Sequence, residues 1–347
     1  MARAASIKDV AREAGVSVGT VSNVINRPDR VSEGMRRDVQ RAISALGYVR
    51  SEHARQLRAG RSRIMALLVL DMGNPFFVDI ARGAERAARD AGLGVMVCNS
   101  GQNPRDEADY LALFAEQRVR GVLVTPTESD GTNLRRFRRH GIPFVLVDRV
   151  AGDDEGCSVS VDDVAGGALA IRHLIAGGHR SLAYVSGPEH LTQVRDRRLG
   201  AHAALDEAGL PPDALLEIPA ERLDVAAGRD AGARLLGLAR RPTGVFCAND
   251  LLALGVLQSL YMAGVRVPDD LAIVGYDDIE FAAAATVPLT SVRQPALTIG
   301  AKATELLLRE LSEGTAAHRY EGTAAHRHEH LVLQPELVVR QSTLPPV

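Results

Sequence analysis

Polar and aromatic side chains follow several apolar runs of this chain. The runs are short and fully apolar, as strands of a parallel sheet are, and in open α/β sheets ligands bind beyond the carboxyl ends of the strands. Carboxylates, amides and an arginine can hold the hydroxyls of a sugar, while phenylalanine rings cover its apolar face. The residues found at such positions are Asn74, Phe76, Phe77, Asp148, Arg149, Asn249, Asp277 and Gln294.

A second set of residues could read DNA. Residues 17–26 predict a short helix whose Val21 and Val24 face inward, so that Val18, Gly19 and Asn23 lie on its outward side. An asparagine amide can pair with adenine, and a valine can touch a thymine methyl group.

The neighbouring hydroxyls suit the DNA backbone better than the bases. Contacts to phosphates set register rather than sequence. We assign Ser17, Thr20 and Ser22 to this role.

The charge distribution agrees with a polyanion at this end. Residues 1–63 hold 13 Arg and Lys against 6 Asp and Glu, a net charge of +7, whereas the remainder has a net charge of -9. This asymmetry predicts that residues 1–63, the basic head, bind nucleic acid and that the acidic remainder, the body, does not.

The elements that position the DNA-reading residues are short helices. Ile7, Val10, Ala11 and Ala14 form one apolar face, Ser6 and Asp9 have capping-box spacing, and Gly15 ends the helix. With the helix at 17–26 this is a helix-turn-helix. A third helix from about residue 32 buries Met35, Val39, Ala42, Ile43 and Leu46.

The rest of the chain alternates short apolar runs with amphipathic helices. This alternating pattern predicts parallel sheets covered on both faces by helices. The predicted strands are 64–70, 94–98, 121–125, 144–147, 181–186, 244–247, 271–275 and 331–339. The predicted helices are 76–91, 104–118, 130–140, 162–177, 195–209, 226–239, 250–263 and 296–313.

The helix-turn-helix carries a specific resemblance. Residues 7–26, IKDVAREAGVSVGTVSNVIN, together with Val31-Ser32 and Leu46-Gly47-Tyr48, resemble the headpiece of LacI/GalR repressors, and the similarity covers nearly the whole chain. It implies that Val18, Gly19 and Asn23 read bases. It also implies an all-α headpiece followed by a two-lobed α/β body like a periplasmic binding protein, with two Rossmann-like parallel sheets.

The resemblance divides the chain into four parts. Residues 1–50 form the headpiece and 51–62 a hinge helix and linker. Residues 63–161 with 291–325 form the first subdomain of the body, and 162–290 with 326–347 the second. In the hinge, Leu57 is implied as a wedge in a minor-groove step, with Arg55 and Arg58 near the DNA backbone.

The same resemblance extends to the ligand. The strand-end residues fall on positions that hold a pentose in ribose-binding members, and Arg198 matches an arginine that contacts the effector, with Arg195 and Arg197 as rivals. A pentose-like sugar is therefore the favoured effector. A purine or nucleoside stacked on the Phe pair is the alternative.

A tandem repeat has no counterpart in that family. Residues 313–320, EGTAAHRY, are followed by 321–328, EGTAAHRH. The histidine spacing matches no closed zinc pattern. Repeat slippage in a surface loop explains it better, so we predict neither a metal nor a cofactor. Cys98, Cys157 and Cys247 suit reduced, packed thiols.

Two other functional classes are disfavoured. An enzyme would show a nucleophile elbow, a phosphate-binding Gly-rich loop or a Cys/His pair, and the sequence has none of these motifs. A free-standing solute-binding protein would have a signal peptide and no basic head.

The expected partners are therefore a palindromic double-stranded DNA operator, a small-molecule effector and a second copy of the chain. Two-fold protein symmetry mirrors the palindrome, so a homodimer is expected, with a tetramer as a further possibility. No apolar segment of membrane-spanning length is present, and we expect a bacterial cytoplasmic protein that is nucleoid-associated when bound to DNA.

Overall fold

The structure is a computed structural model that describes residues 5–48, 62–128, 131–152, 155–317 and 328–343, with the side chains of 313–317 left out. The chain divides into two compact units, residues 1–62 and 63–347. No helix in the described ranges is long and apolar enough to cross a membrane.

The first unit is a three-helix headpiece. Its helices are α1 (Ile7–Glu13), α2 (Val18–Asn26) and α3 (Glu33–Leu46), with a 3-10 turn at Pro28–Arg30. The capping box at α1 is present, because Ser6 and Asp9 bond each other's backbone N–H. Gly15, at φ +64°, lets the chain turn into α2.

A small apolar core holds the three helices together. It contains Val10, Val21 and Val39, all fully buried. The predicted stripe of α3 is right at Val39 and Ala42, but Met35 is 40% exposed. Met35 lies in the first turn of α3, at the rim of a core too small to cover it.

The body contains two sheets, as predicted, and each of them has six strands. The first lobe has the strand order β11-β5-β4-β3-β1-β2, all parallel. Its strands are β1 (Ile64–Val69), β2 (Gly94–Asn99), β3 (Val122–Val124), β4 (Phe144–Val147), β5 (Ser158–Val161) and β11 (His330–Leu333). Its helices are α4 (Pro75–Asp90), α5 (Pro104–Glu116), α6 (Thr132–Arg138) and α12 (Ala296–Ala317).

The second lobe repeats this design with the order β12-β10-β9-β8-β6-β7. Only β12 is antiparallel. Its strands are β6 (Leu182–Ser186), β7 (Leu215–Pro219), β8 (Gly244–Cys247), β9 (Ala272–Asp277), β10 (Thr290–Arg293) and β12 (Glu336–Val338). Its helices are α7 (Asp163–Ala176), α8 (Thr192–Glu207), α9 (Val225–Leu236), α10 (Asp250–Met262) and α11 (Glu280–Ala284), with a 3-10 turn at Pro212–Ala214.

The final crossings between the lobes differ from the predicted subdomain boundaries. Residues 290–293 pair with β9 in the second lobe, and α12 then crosses back to pack on α4 in the first lobe. The single strand predicted at 331–339 is two strands. Residues 330–333 pair with β5 in the first lobe and 336–338 with β10 in the second. Pro335 separates them, because proline cannot continue a ladder of hydrogen bonds.

Candidate functional site

The predicted base-reading residues lie on the exposed side of α2. Val18, Gly19 and Asn23 are exposed, whereas Val21 and Val24 are buried against the other two helices. Ser17 caps the helix by accepting a hydrogen bond of 3.0 Å from the Thr20 backbone N–H. The first turn therefore has fixed geometry, and its outward residues form a small exposed surface.

The three predicted phosphate-binding hydroxyls already have intramolecular contacts. The Ser17 and Thr20 hydroxyls are 2.9 Å apart, and the Asn26 amide donates to the Ser22 hydroxyl at 3.2 Å. A hydroxyl has one donor and two acceptor sites, so each can still meet a phosphate. The hinge residues Arg55, Leu57 and Arg58 lie outside the described residues.

Most of the predicted effector residues line one cavity between the lobes of the body. Asn74, Phe76, Phe77, Asp148, Asn249 and Asp277 are among its walls. They come from the carboxyl ends of β1, β4, β8 and β9, the edge that the sequence predicted. The cavity is also lined by Leu70, Asp71, Gln102, Gln193, Arg197 and Leu223.

Asp277 is the centre of a buried polar cluster. Its carboxylate accepts hydrogen bonds from Asn74 Nδ2 at 2.9 Å and from Gln294 Nε2 at 2.7 Å. Asn74 is itself fixed, because its Oδ1 caps α4 by accepting from the Phe76 backbone N–H. Gln294 does not line the cavity itself. It lines a second, adjacent pocket, from which it bonds to Asp277.

Asp148 is the corresponding carboxylate of the first lobe. It accepts a hydrogen bond of 3.1 Å from Gln193 Nε2, at the start of α8 in the second lobe. Both Asp148 and Asp277 have positive φ, 59° and 103°, at the point where a strand ends. Aspartate tolerates this conformation better than most residues, and such outliers are frequent at binding sites.

Several acceptor atoms at this cluster are free to receive hydroxyl donors. Within the described ranges, one carboxylate oxygen of Asp148 and the amide oxygens of Gln102 and Gln294 are buried without a hydrogen-bond partner. A buried polar group without a partner costs about 1–3 kcal/mol, and a ligand hydroxyl would recover it.

The arginine of the cleft is Arg197, not Arg198. Arg197 is 3% exposed, donates to Asp163 at 2.8 Å and to the Ala248 carbonyl at 2.6 Å, and has its guanidinium carbon 3.7 Å from the centre of the Tyr276 ring. The side chain of Arg198 is 46% exposed and forms an ion pair with Glu217 at 2.8 Å. Arg198 is therefore absent from the cavity lining, where its predicted rival Arg197 is found.

The packing of α8 explains the difference. Its buried stripe runs through Arg197, Gly200, Ala201 and Ala204, at the i, i+3, i+4, i+7 spacing of one helix face. Gly200 sets this face against α7, because a Cβ there would clash with the Val164 carbonyl oxygen. Arg198 is one residue further along and turns about 100° away from the cleft.

Arg149 is also displaced from the cavity. Its guanidinium forms an ion pair with Glu155 at 2.7 Å, and it is not among the lining residues. Asn249 does line the cavity, but its Oδ1 caps α10 and its Nδ2 donates to the Leu223 carbonyl at 3.2 Å. Asn249 therefore lines the cavity and also holds two other parts of the cavity wall in place, the start of α10 and the backbone at Leu223.

Burial sets the protonation of the cleft. Removal from water raises the pKa of Asp277 to about 6, against the opposing effect of the nearby Arg197 charge. Burial and the charge of Asp163 hold the pKa of Asp148 well above its ordinary range. Burial, with Asp277 nearby, does the same to the pKa of Asp250.

The two phenylalanines are buried and also border the cavity. Their centroids are 5.0 Å apart in an edge-to-face arrangement, with 3% and 5% exposure, and both line the cavity. The second lobe contributes the aliphatic Leu223 to the described lining and no aromatic side chain.

Sequence reasoning missed Gln102 and Gln193 as lining residues. Gln102 follows β2 and could have been found by the same strand-end rule. Gln193 stands at the start of a helix, and no strand precedes it closely enough to signal its position.

Known proteins share both units of this chain. Residues 6–51 match the family model for bacterial regulatory proteins of the lacI family, and residues 171–343 match the periplasmic binding protein-like domain. An HTH-type transcriptional repressor, PurR, of Photobacterium profundum is 33% identical over 97% of this chain and 98% of its own length.

Two further similarities concern a repressor and a solved structure. The ribose operon repressor of Escherichia coli is 36% identical over 90% of this chain and 94% of its own. The crystal structure of the lac repressor dimer bound to operator and the anti-inducer ONPF has a TM-score of 0.80 and 27% identity, covering 99% of this chain and 100% of that one.

A helix-turn-helix headpiece joined to a two-lobed ligand-binding body defines a DNA-binding transcription regulator with a sugar-binding type of domain. The chain belongs to the LacI family of bacterial transcriptional repressors.

Proposed function

We propose that this chain is a sugar-responsive repressor that binds a palindromic operator as a homodimer. The observation that carries the effector assignment is the pairing of Asp148 and Asp277 in one cavity, each from a different lobe and each bonded to an amide. Two carboxylates facing a phenylalanine wall suit a ring that has several hydroxyls on its edge and an apolar face. The relation to the ribose operon repressor supports a pentose.

The proposed chemistry is exchange of partners. Sugar hydroxyls donate to the carboxylates of Asp148 and Asp277, and the amides of Asn74 and Gln193 are released to donate to ring or hydroxyl oxygens. Arg197 stays fixed by Asp163 and supplies positive charge beside the carboxylates. No bond is broken, which agrees with relatives that are repressors rather than enzymes.

A purine or nucleoside is less suited to this cavity. A flat base binds best between two apolar or aromatic faces, whereas Phe76 and Phe77 stand edge to face and the described lining from the second lobe contains no aromatic side chain. Nucleosides are therefore included in the ligand test as the contrary outcome.

On the DNA side, we propose that Val18, Gly19 and Asn23 read base edges while Ser17, Thr20 and Ser22 contact phosphates. Leu57, flanked by Arg55 and Arg58, is proposed as the minor-groove wedge. A ligand controls such binding only through its different affinities for the DNA-competent and DNA-incompetent states. DNA as the partner assigns the chain to the bacterial cytoplasm.

The effector assignment is tested by thermal shift of the full chain with pentoses, hexoses and nucleosides, followed by calorimetry. A ligand at 100 times its dissociation constant adds about 2.7 kcal/mol, which moves the melting transition clearly. We expect a pentose to bind, and Asp277→Ala to abolish binding. Asp278→Ala is the matched control, because Asp278 pairs with Arg293 and Arg340 instead. Binding of nucleosides alone would contradict the sugar assignment.

The DNA assignment is tested by selection of operators from random duplexes, followed by gel-shift titration. We expect selected sites to be inverted repeats. Leu57→Ala should weaken binding to them, and an unchanged affinity would refute the wedge.

A further inference from the structure

We propose that Cys157, Glu310 and His328 form a zinc site in the first lobe, separate from the effector cleft. Cys157 comes immediately before β5, Glu310 lies on α12, and His328 comes two residues before β11. One sulfur, one carboxylate oxygen and one imidazole nitrogen of these residues lie within 4.8 Å of one another.

The spacing of the three atoms suits a tetrahedral ion after a small contraction. Cys157 Sγ and His328 Nδ1 are 4.0 Å apart, and His328 Nδ1 and Glu310 Oε1 are 3.9 Å apart. Zinc bonds of about 2.3 Å to sulfur and about 2.0 Å to nitrogen or oxygen place such ligand atoms about 3.3–3.6 Å apart. Cys157 Sγ and the Glu310 carboxylate oxygen lie within 4.8 Å of each other, so side-chain rotations that draw the three atoms together complete the site.

The donor set selects the metal. Thiolate, imidazole and carboxylate together match the borderline softness of Zn²⁺, whereas Mg²⁺ and Ca²⁺ prefer oxygen ligands alone. Three protein ligands leave the fourth tetrahedral position to water. The His328 side chain is 32% exposed and Glu310 is 11% exposed, so an ion reaches the buried thiol from the His328 side.

The surrounding contacts hold two of the ligands in place. The Glu329 backbone N–H donates to Cys157 Sγ at 3.3 Å, the kind of hydrogen bond that stabilises a metal-bound thiolate. The Glu329 carboxylate is held by both terminal nitrogens of Arg309, at 2.8 and 3.0 Å. This pair ties the residue after His328 to the residue before Glu310.

The location gives the site a structural role. It lies at the amino ends of β5 and β11, and the effector cleft lies at the carboxyl ends of the strands. The tandem repeat begins three residues after Glu310 and ends at His328. A metal bound to both residues closes that segment at its base, and a cross-link of this kind stabilises the folded state.

The test uses the full chain, stripped of metal, with Zn²⁺ and Co²⁺ as the probes. We expect one equivalent of Zn²⁺ in competition with a chromophoric chelator, a thiolate-to-cobalt charge-transfer band with Co²⁺, and a melting temperature that rises with Zn²⁺. Cys157→Ser, Glu310→Gln and His328→Ala should each weaken Zn²⁺ at least tenfold, and Cys157→Ser should also remove the band.

Matched variants decide between this site and binding elsewhere. Cys98→Ser and His140→Ala remove the same donor types elsewhere in the first lobe and should leave Zn²⁺ affinity unchanged. Replacing His318 and His326 together removes the two histidines of the repeat that are not proposed ligands, and should also leave the Zn²⁺ affinity unchanged. Loss of binding in that double variant, a cobalt spectrum without a thiolate band, or no binding at all would overturn the proposal. If Cys157→Ser fails to fold, two measurements still test the site: the Zn²⁺ affinity of His328→Ala, at a partly exposed residue, and the cobalt spectrum of the wild-type protein.

Discussion

Asn74 and Asp277 join the two lobes of the body through a hydrogen bond of 2.9 Å between residues 203 positions apart. The reverse contact joins Gln193 of the second lobe to Asp148 of the first, at 3.1 Å. Each lobe therefore presents one carboxylate at a strand end and one amide at a helix start. This reciprocal arrangement makes the floor of the cleft a set of exchangeable donors and acceptors.

Neighbouring arginines on α8 should behave differently when replaced. Arg197→Met breaks a buried ion pair with Asp163 and should lower the free energy of unfolding by about 3 kcal/mol and abolish sugar binding. Arg198→Met loses the partly exposed ion pair with Glu217 and should change the free energy of unfolding by less than about 1 kcal/mol. Its affinity for the sugar should be retained. Urea unfolding and calorimetry measure both quantities, and equal effects of the two variants would contradict the assignment.

Sugar affinity should increase with pH. A proton on Asp277 occupies the oxygen that would accept a ligand hydroxyl, and the pKa of Asp277 is raised to about 6 by burial. Between pH 7.5 and pH 5 the ionised fraction falls about tenfold, so the dissociation constant should rise about tenfold. Calorimetry across this range checks the result. Asp277→Asn should lose the part of this pH dependence that Asp277 contributes and keep any part that comes from Asp148, whose pKa is also raised by burial. A flat profile in the parent protein would count against ionised Asp277 as the acceptor.

The proposed base-reading role of α2 predicts a loss of operator affinity that does not depend on salt. Asn23→Ala should weaken operator binding by about 1–3 kcal/mol, because a bidentate base contact is lost, while the slope of affinity against salt stays the same. Asn26→Ala is the control, since the Asn26 amide donates to the Ser22 carbonyl at 2.7 Å. A changed salt slope for Asn23→Ala would instead mark Asn23 as a phosphate contact.

Close packing of α7 and α8 predicts that Gly200 tolerates no side chain. Gly200→Ala drives a methyl group into the Val164 carbonyl oxygen and should cost about 3 kcal/mol of stability. At Gly94, where a Cβ would meet no atom within 4 Å, alanine should change stability by less than about 0.5 kcal/mol. Chemical denaturation of both variants gives the comparison, and a stable Gly200→Ala protein would show that the two helices can separate at little cost.

Much of the cleft could be predicted because a local rule applies there. Asn74, Asp148 and Asp277 each follow an apolar run, and the carboxyl ends of parallel strands meet at one edge wherever the strands are parallel. The headpiece helices were predictable for a similar reason. Caps such as Ser6 with Asp9 depend on neighbours within a few residues. The same is true of the apolar helix faces that contain Val10, Val21 and Val39.

Other features follow from contacts between distant parts of the chain. The strands β5 and β7 were not predicted because neither is a fully apolar run. The sequence of β5 is Ser-Val-Ser-Val, and β7, at the edge of its sheet, contains a glutamate and a proline. With arginines at 195, 197 and 198, helical periodicity alone does not say which one points inward. The contact of Gly200 with α7 decides it.

The two kinds of unit, the capped helices and the edge of the sheets where the candidate ligand-binding residues gather can all be inferred from the amino-acid sequence. They depend on periodicities of two and 3.6 residues and on turn chemistry, which involve only residues close together in the chain. The packing of the folded chain places Arg197 in the cleft, returns residues 330–333 to the first lobe, and brings Cys157 to His328 across 171 positions. Such contacts depend on how whole elements pack, and no short stretch of sequence contains that information.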